Sequence, residues 1–326
     1  MSKQMFVTGA NGYIGGHLVP KLVKRGYEVT CLVRDPEKAT ALKMEGVRLV
    51  KGDITDKESM RDAMRGAEAV FHLAGWYVIG ERDKARMHAI NVDGARNTLE
   101  LAAELGVPNI LHTSTVGVFG NTRGMIVDEV YRAPKEEMIS TYELTKWMAH
   151  YEVAEPLQRK GAPLIILQPG GVTGAGDESP HAMVFKMFLS RSPVMFGAKS
   201  GLTLAHVDDI AEGHILAFEK GKAGEAYIVA GEAMTYKQIF ERCEKATGMR
   251  GAMLWAPGWV ASTSGALMAG VERLGLPTLF SSEELMAMDD YTYWAKADKA
   301  RRELGWATRP TDETLKETLD YLRQKR

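Results

Sequence analysis

Cysteine is nearly absent, with two residues in 326. Two cannot build a disulfide framework, which excludes a stapled secreted scaffold and suits a reducing compartment. Cys31 falls in an apolar run and reads as core, and Cys243 lies in a stretch read as helical, 240–246. An excess of one charge is also missing: 41 Lys and Arg against 42 Asp and Glu leave a net −1, without the basic surplus of a nucleic-acid binder. The eight histidines contain no His-x-x-x-His pair and there is no Cys-x-x-Cys, so no metal site is expected. Long apolar runs are lacking too. The stretch from Trp255 to Gly270 is interrupted by Pro257, Ser262, Thr263 and Ser264, short of the roughly 18 apolar residues a membrane span needs. A first strand starting at Gln4 leaves no room for a signal peptide, so the expected location is the cytoplasm.

What is present is a chain long enough for two domains or one large one, 45% hydrophobic and 25% charged. In the first half, short β-rich runs (4–8, 27–33, 47–51, 69–73, 109–114 and the wholly apolar 164–167) alternate with helical stretches (13–25, 83–105, 142–159). Such alternation predicts an α/β fold, a parallel sheet covered on both faces. After Pro169 the rhythm breaks. Gly170, Gly171, Gly174, Gly176 and Pro180 mark a loop-rich zone, followed by a Met/Phe-rich helix over 181–189. A helix capped by Asp208 runs to Lys220, a strand returns at 227–230, and a last helix spans 312–323. The expected division is a dinucleotide-binding Rossmann-type, doubly wound domain over 1–169. A smaller substrate lobe occupies 170–326, interleaved with returning elements at about 204–230.

The first strand runs into Thr8-Gly9-Ala10-Asn11-Gly12-Tyr13-Ile14-Gly15 and then a helix. Gly9 permits a tight turn, Gly12 admits a pyrophosphate to the backbone, and Gly15 lets the helix approach the sheet, with the helix N-terminus attracting the anion. At the end of the second strand stands Val33-Arg34-Asp35, where an acid would hold the 2′-hydroxyl of NAD and an arginine the 2′-phosphate of NADP. Arg34, with Lys38 one turn on, favours NADP; Asp35 turned to the ribose would favour NAD.

Tyr142 and Lys146 have Tyr-x-x-x-Lys spacing, which on a helix puts both side chains on one face. A phenol with an ordinary pKa near 10 needs a nearby ammonium to become a useful proton carrier at neutral pH. Tyr131 and Lys135 share the spacing, but Pro134 would break the helix that must align them.

With these motifs the chain resembles the extended short-chain dehydrogenase/reductase family, which includes the NAD-dependent epimerases and dehydratases. The resemblance also rests on Ser114-Thr115-Val116-Gly117-Val118-Phe119-Gly120, Gly52-Asp53-Ile54-Thr55-Asp56 and Phe71-His72-Leu73-Ala74-Gly75. Asn91-Val92-Asp93-Gly94, His206-Val207-Asp208-Asp209 and Glu303-Leu304-Gly305-Trp306 extend it over nearly the whole chain. It implies that Tyr142 is the general acid of carbonyl reduction and that Lys146 lowers its pKa and holds the nicotinamide ribose. Thr115, with Ser114 as the alternative register, would bond the reacting oxygen. It also implies that the glycine loop, including Asn11, Tyr13 and Ile14, carries the pyrophosphate, and that Asp53 and Ile54 flank adenine. Leu73, Ala74 and Gly75 would line the adenosine side, and Thr113, Pro169 and Val172 the nicotinamide side. The helices over 83–105 and 142–159 resemble the family's dimer-forming pair, so a homodimer is expected.

Within the family, sugar-nucleotide enzymes carry Asn where Gly171 stands and Arg shortly before the His206 stretch, where this chain has Gly201-Leu202-Thr203-Leu204-Ala205. Dehydratases carry an Asp-Glu pair where Val116 and Gly117 stand. Trp76, Tyr77, Val116, Phe119, Gly171 and Met183 are the candidate substrate contacts, an apolar set that suits a hydrophobic ketone, aldehyde or secondary alcohol. Asn91 is read as bonding backbone, and His206 as structural. The pattern is most similar to the dihydroflavonol-reductase and 3β-hydroxysteroid-dehydrogenase branch, which points to an NADP-dependent oxidoreductase. The alternatives are an NAD-dependent sugar-nucleotide epimerase or dehydratase, and a non-catalytic NADP-binding regulator.

Overall fold

The middle of the first strand is apolar on both of its faces. In β1 (Gln4–Thr8) the side chains of Met5 and Val7 point to one face and Phe6 to the other, and all three are fully buried. The structure, a computed structural model, describes residues 3–80, 83–179, 182–251, 254–273 and 281–325. Its first half runs α1 (Tyr13–Lys24), β2 (Glu28–Val33), β3 (Val47–Lys51), α2 (Glu58–Met64), β4 (Ala69–His72), α3 (Lys84–His88), α4 (Gly94–Glu104), β5 (Ile110–Thr113), α5 (Thr141–Met148), α6 (Glu155–Arg159) and β6 (Leu164–Pro169). There follow β7 (Gly171–Thr173), α7 (Ala182–Leu189), β8 (Val194–Met195), β9 (Gly201–His206), α8 (Val207–Lys220), β10 (Ala226–Val229), β11 (Glu232–Thr235) and α9 (Tyr236–Thr247). The chain closes with β12 (Leu254–Trp255), α10 (Gly258–Arg273), α11 (Ser282–Met286), β13 (Thr292–Tyr293), α12 (Asp298–Leu304) and α13 (Thr311–Gln324).

Seven strands form the parallel sheet in the order β10-β6-β5-β4-β1-β2-β3. The order reverses between β1 and β4, so the crevice beyond their C-terminal ends is the place where such a sheet takes a ligand. One face packs under α1, α8 and α12 through Leu18, Leu22, Ile215 and Trp306, and the other under α2 and α4 through Met60, Met64 and Leu99. The returning strand is β10, parallel to β6 with Ala226 opposite Ile166.

Three sequence expectations need correction. The helices over 83–105 and 142–159 are each interrupted by a π turn, at Ala89–Asp93 and Ala149–Ala154. Pro156, which has no N–H to give the ladder, stands just past the second one. The zone after Pro169 is not all loop: β7 lies there and pairs with β9, which is buried along its whole length and joins β11 and β13 in a second sheet. These strands are too short for periodicity to reveal. Asp208 is not the cap of α8. His206 takes that position, its Nδ1 accepting the Asp208 N–H at 3.1 Å. The Met/Phe-rich helix is described from Ala182, and its expected first residue, His181, lies outside the described residues.

Among the described residues no helix is long and apolar enough to cross a membrane. Both cysteines are buried and free, Cys31 in β2 and Cys243 in α9. Tyr131 and Lys135 do not share a helix; Tyr131 packs on Phe119, and Lys135 pairs with Glu152 on the surface.

Trp306 closes the sheet from the C-terminal end of the chain. It is 1% exposed, and its indole N–H donates to the Asp209 carbonyl at 2.8 Å. Trp306→Ala is expected to cost about 3–5 kcal/mol through the cavity and the orphaned carbonyl. Urea unfolding with a midpoint equal to wild type would refute this.

Candidate active site

Helix α5 starts where Ser140 caps it: Oγ accepts the Glu143 N–H at 3.1 Å. That start puts Tyr142 in the first turn and Lys146 one turn later, beside the end of β5. Lys146 is 7% exposed and donates from Nζ to the Thr113 carbonyl at 2.7 Å. Burial lowers its ammonium to about 8. Beneath it His72 and His112 stack at 5.4 Å, and burial, then the Lys146 charge, lowers His72 to about 3. Both effects keep these rings neutral, so the ammonium is the one charge in this layer.

Three hydroxyl groups stand at and just past the end of β5. Thr113 Oγ1 bonds His214 Nε2 at 2.9 Å, and Ser114 Oγ bonds His150 Nδ1 at 2.8 Å. Thr115 Oγ1 accepts the Gly117 N–H at 3.1 Å, and the Thr115 side chain favours the ionised form of Tyr142. Ser114 is thus bonded to His150, while Thr115 acts on Tyr142. The expected depression of the Tyr142 pKa by Lys146 is not present in this arrangement. Burial and then the Glu143 charge push the phenol well up, and the Thr115 side chain draws it down, while the ammonium is turned to Thr113.

A cavity of about 360 Å³ runs from the glycine loop past Tyr142 to the second sheet. Gly9, Gly12, Tyr13, Ile14, Gly15, Leu73, Gly75, Thr113, Pro169 and Val172 line it on the sheet side, and Tyr77, Thr115, Val116, Tyr142, Lys146, Gly171 and Met183 face it further in. Tyr77 packs on Tyr142 with ring centroids 4.4 Å apart. Other candidates do not line it. Phe119 is 1% exposed in a core cluster with Val116, Val127 and Ile228, and of the two residues in this turn Val116 alone also reaches the cavity. Trp76 stacks on Arg86 at 4.8 Å, and Asn91 clamps its backbone, accepting its N–H at 2.6 Å and donating to its carbonyl at 3.1 Å. Ala74 donates its N–H to Thr8 Oγ1 at 3.4 Å. Ile54 is buried in the core beneath α4, and Asp53 Oδ1 is taken by the N–H and hydroxyl of Thr55 at 2.9 and 2.8 Å. Asn11 and Arg34 are exposed, and Arg34 makes no ion pair with another described residue. Lys38 is turned to Asp35 at 3.6 Å.

Sequence reasoning missed Ile79, Ile139, Glu143, Ser179, Val184, Leu202, Tyr236, Glu283, Ala287, Met288 and Tyr293, all of which line the cavity. Most come from segments without a motif; Glu143 alone had a signal, its place beside Tyr142. Among the described lining residues Lys146 is the one cation. A Cβ at Gly171 would stand 2.7 Å from Leu202 Cδ1, so an Asn there has no room unless Leu202 moves.

The glycine loop fits a dinucleotide. A Cβ at Gly9, where φ is +71°, would lie 2.6 Å from the Ala74 nitrogen, and one at Gly15 would lie 2.2 Å from the Gly9 carbonyl oxygen. The first turn of α1 carries no acidic residue, so its free N–H groups form a cradle for an anion. A doubly wound sheet with this cradle at its switch point and a Tyr–Lys pair beyond it defines a nicotinamide-dinucleotide oxidoreductase.

Residues 5–230 match the model of the NAD dependent epimerase/dehydratase family, and the chain belongs to that family. It is an NAD(P)-dependent oxidoreductase of the extended short-chain dehydrogenase/reductase type. It is similar to a candidate dihydroflavonol 4-reductase of Synechocystis sp., 30% identical over 316 residues, covering 94% of this chain and 90% of the relative. It is 28% identical over 327 residues to a 4-hydroxy-2-methyl-3-oxo-4-farnesyl-3,4-dihydroquinoline-1-oxide ketoreductase of Stigmatella aurantiaca, covering 98% of this chain and 95% of that one. The crystal structure of gox2253 superposes with a TM-score of 0.86 at 29% identity, covering 99% of each chain.

Gly9→Ala places a methyl group against Ala74 in a backbone region that alanine avoids. Nicotinamide-dinucleotide affinity, measured by fluorescence titration with NADPH and with NADH, is expected to fall about tenfold or more. Unchanged affinity would show that the loop is not the cradle.

Proposed function

We propose that the protein is an NADP-dependent reductase of a ketone or aldehyde carried by a hydrophobic small molecule, working as a homodimer in the cytoplasm. The supporting observation is the cavity itself: mostly apolar walls, Lys146 as the one cation among its described lining residues, and Leu202 filling the space beside Gly171. A sugar nucleotide would bring a diphosphate with no second cation to meet it, whereas an apolar carbonyl compound asks only for a hydrogen bond at its oxygen. The farnesylated quinoline ketoreductase among the relatives supports the same substrate class.

The glycine loop and the N-terminus of α1 would hold the pyrophosphate, Arg34 the 2′-phosphate, and Lys146 the nicotinamide ribose. The bound cofactor supplies the hydride. Thr115 and Tyr142 would both donate hydrogen bonds to the carbonyl oxygen, which polarises it. As that oxygen becomes an alkoxide it is far more basic than the phenol, and Tyr142 passes its proton across. The raised Tyr142 pKa keeps that proton in place over the whole neutral range.

Tyr142→Phe is expected to lower ketone turnover about a hundredfold or more with NADPH binding unchanged. Turnover equal to wild type would remove the assigned role. Arg34→Ser is expected to weaken NADPH binding roughly tenfold to a hundredfold and leave NADH binding nearly unchanged. Equal losses for both nucleotides would point to NAD instead.

A further inference from the structure

Glu143 has the spacing of a helix-capping acid: Ser140 accepts its N–H, and its carboxylate reaches back to accept the Ile139 N–H at 3.0 Å. Capping acids normally sit in water. This one is 4% exposed, lines the cavity next to Tyr142, and accepts a hydrogen bond from the Tyr293 hydroxyl of β13. The helix that carries Tyr142 is thereby tied to the second sheet by a carboxyl group. We propose that Glu143 is a positioning residue for Tyr142, a buried carboxyl group held by Tyr293 through which the seating of β13 governs proton transfer at the neighbouring phenol. This deepens the reductase reading and rests on it.

The charge of Glu143 acts on Tyr142 directly, raising the phenol's pKa, so an ionised Glu143 makes Tyr142 the weaker acid. Burial is the main cause that raises Glu143 itself to about 7, and the Tyr293 and Ile139 bonds oppose it. The groups facing it are Tyr142 on its own helix, Tyr293 and Tyr291 on and beside β13, Glu283 of α11 and Tyr77 after β4. Glu283 has the same charge and pushes Glu143 further up. Its own oxygens accept from the Gly80 and Thr141 N–H groups, at 2.9 and 3.2 Å.

The sign follows. As pH rises through about 7, Glu143 ionises, Tyr142 holds its proton more tightly, and carbonyl reduction slows. Lys146, lowered to about 8, adds a separate limb that no change at Glu143 removes.

The test is the pH profile of kcat for reduction of an apolar ketone, in wild type, Glu143→Gln and Tyr293→Phe. Gln keeps the cap and removes the charge, so the limb near 7, a fall of roughly threefold or more in wild type, is expected to vanish. In Tyr293→Phe the carboxylate loses a donor, and the same limb is expected to move to higher pH. Superimposable profiles in all three proteins would overturn the proposal. A second readout needs no turnover. With 13Cζ-labelled tyrosine, the Tyr142 resonance, identified by its loss in Tyr142→Phe, is expected to titrate near pH 7 in wild type and not in Glu143→Gln. A Tyr142 resonance that ignores the substitution also overturns it. Wild-type protein inactive on every ketone would instead refute the reductase reading, and the resonance would still decide the coupling.

Discussion

The centre of the molecule depends on one hydrogen bond, from the buried ammonium of Lys146 to the carbonyl of Thr113. An ammonium taken out of water costs several kcal/mol, and a charge-assisted bond to a fixed carbonyl offsets part of that cost. The carbonyl is fixed because β5 pairs with β4 on one side and β6 on the other, and His214 of α8 holds the Thr113 hydroxyl from below. With Lys146 anchored there, helix geometry sets Tyr142 one turn back, facing Thr115. The same bond keeps the ammonium away from the phenol, which leaves burial and Glu143 to set how tightly Tyr142 holds its proton.

The cavity takes its chemical character from the second sheet. β7 and β9 bring Gly171 and Leu202 together, and β13 brings Tyr293, so the wall facing the Tyr–Lys pair is apolar with a tyrosine at its edge. The charged or polar groups near Tyr142 are few and held: Glu143 by Tyr293, Glu283 by Gly80 and Thr141, and Lys146 by Thr113. A ligand entering beside the Tyr–Lys pair meets shape and apolar surface before charge.

Much of this was legible in the sequence, where local chemistry dictates local structure. Gly9 and Gly15 stand where a Cβ would collide with Ala74 and with the Gly9 carbonyl, a constraint that local sequence carries. Tyr142 and Lys146 are read from spacing because a helix converts four residues into one turn. The burial of β6 on both faces is written in its unbroken apolar run. Other features depend on partners distant in the chain. Nothing near Ser114 says that His150 will occupy it and leave Thr115 for Tyr142. Phe119 and Val116 share one turn and one core cluster, and only the packing of distant Val127 and Ile228 leaves Val116 at the cavity and Phe119 out of it. Tyr236, Glu283 and Tyr293 reach the cavity from three separate elements, without a shared pattern. The short strand β7, hidden in a run of glycines, exists because β9 is there to pair with it.

The most direct test of the account is hydride transfer itself. The purified protein would be incubated with NADPH deuterated at C4 of the nicotinamide and a panel of apolar ketones and aldehydes, using both C4 epimers. The products would then be examined by mass spectrometry. The account predicts one deuterium on the carbinol carbon of at least one product, from one epimer of the cofactor only. No labelled alcohol from any member of the panel, with NADPH demonstrably bound, would contradict it.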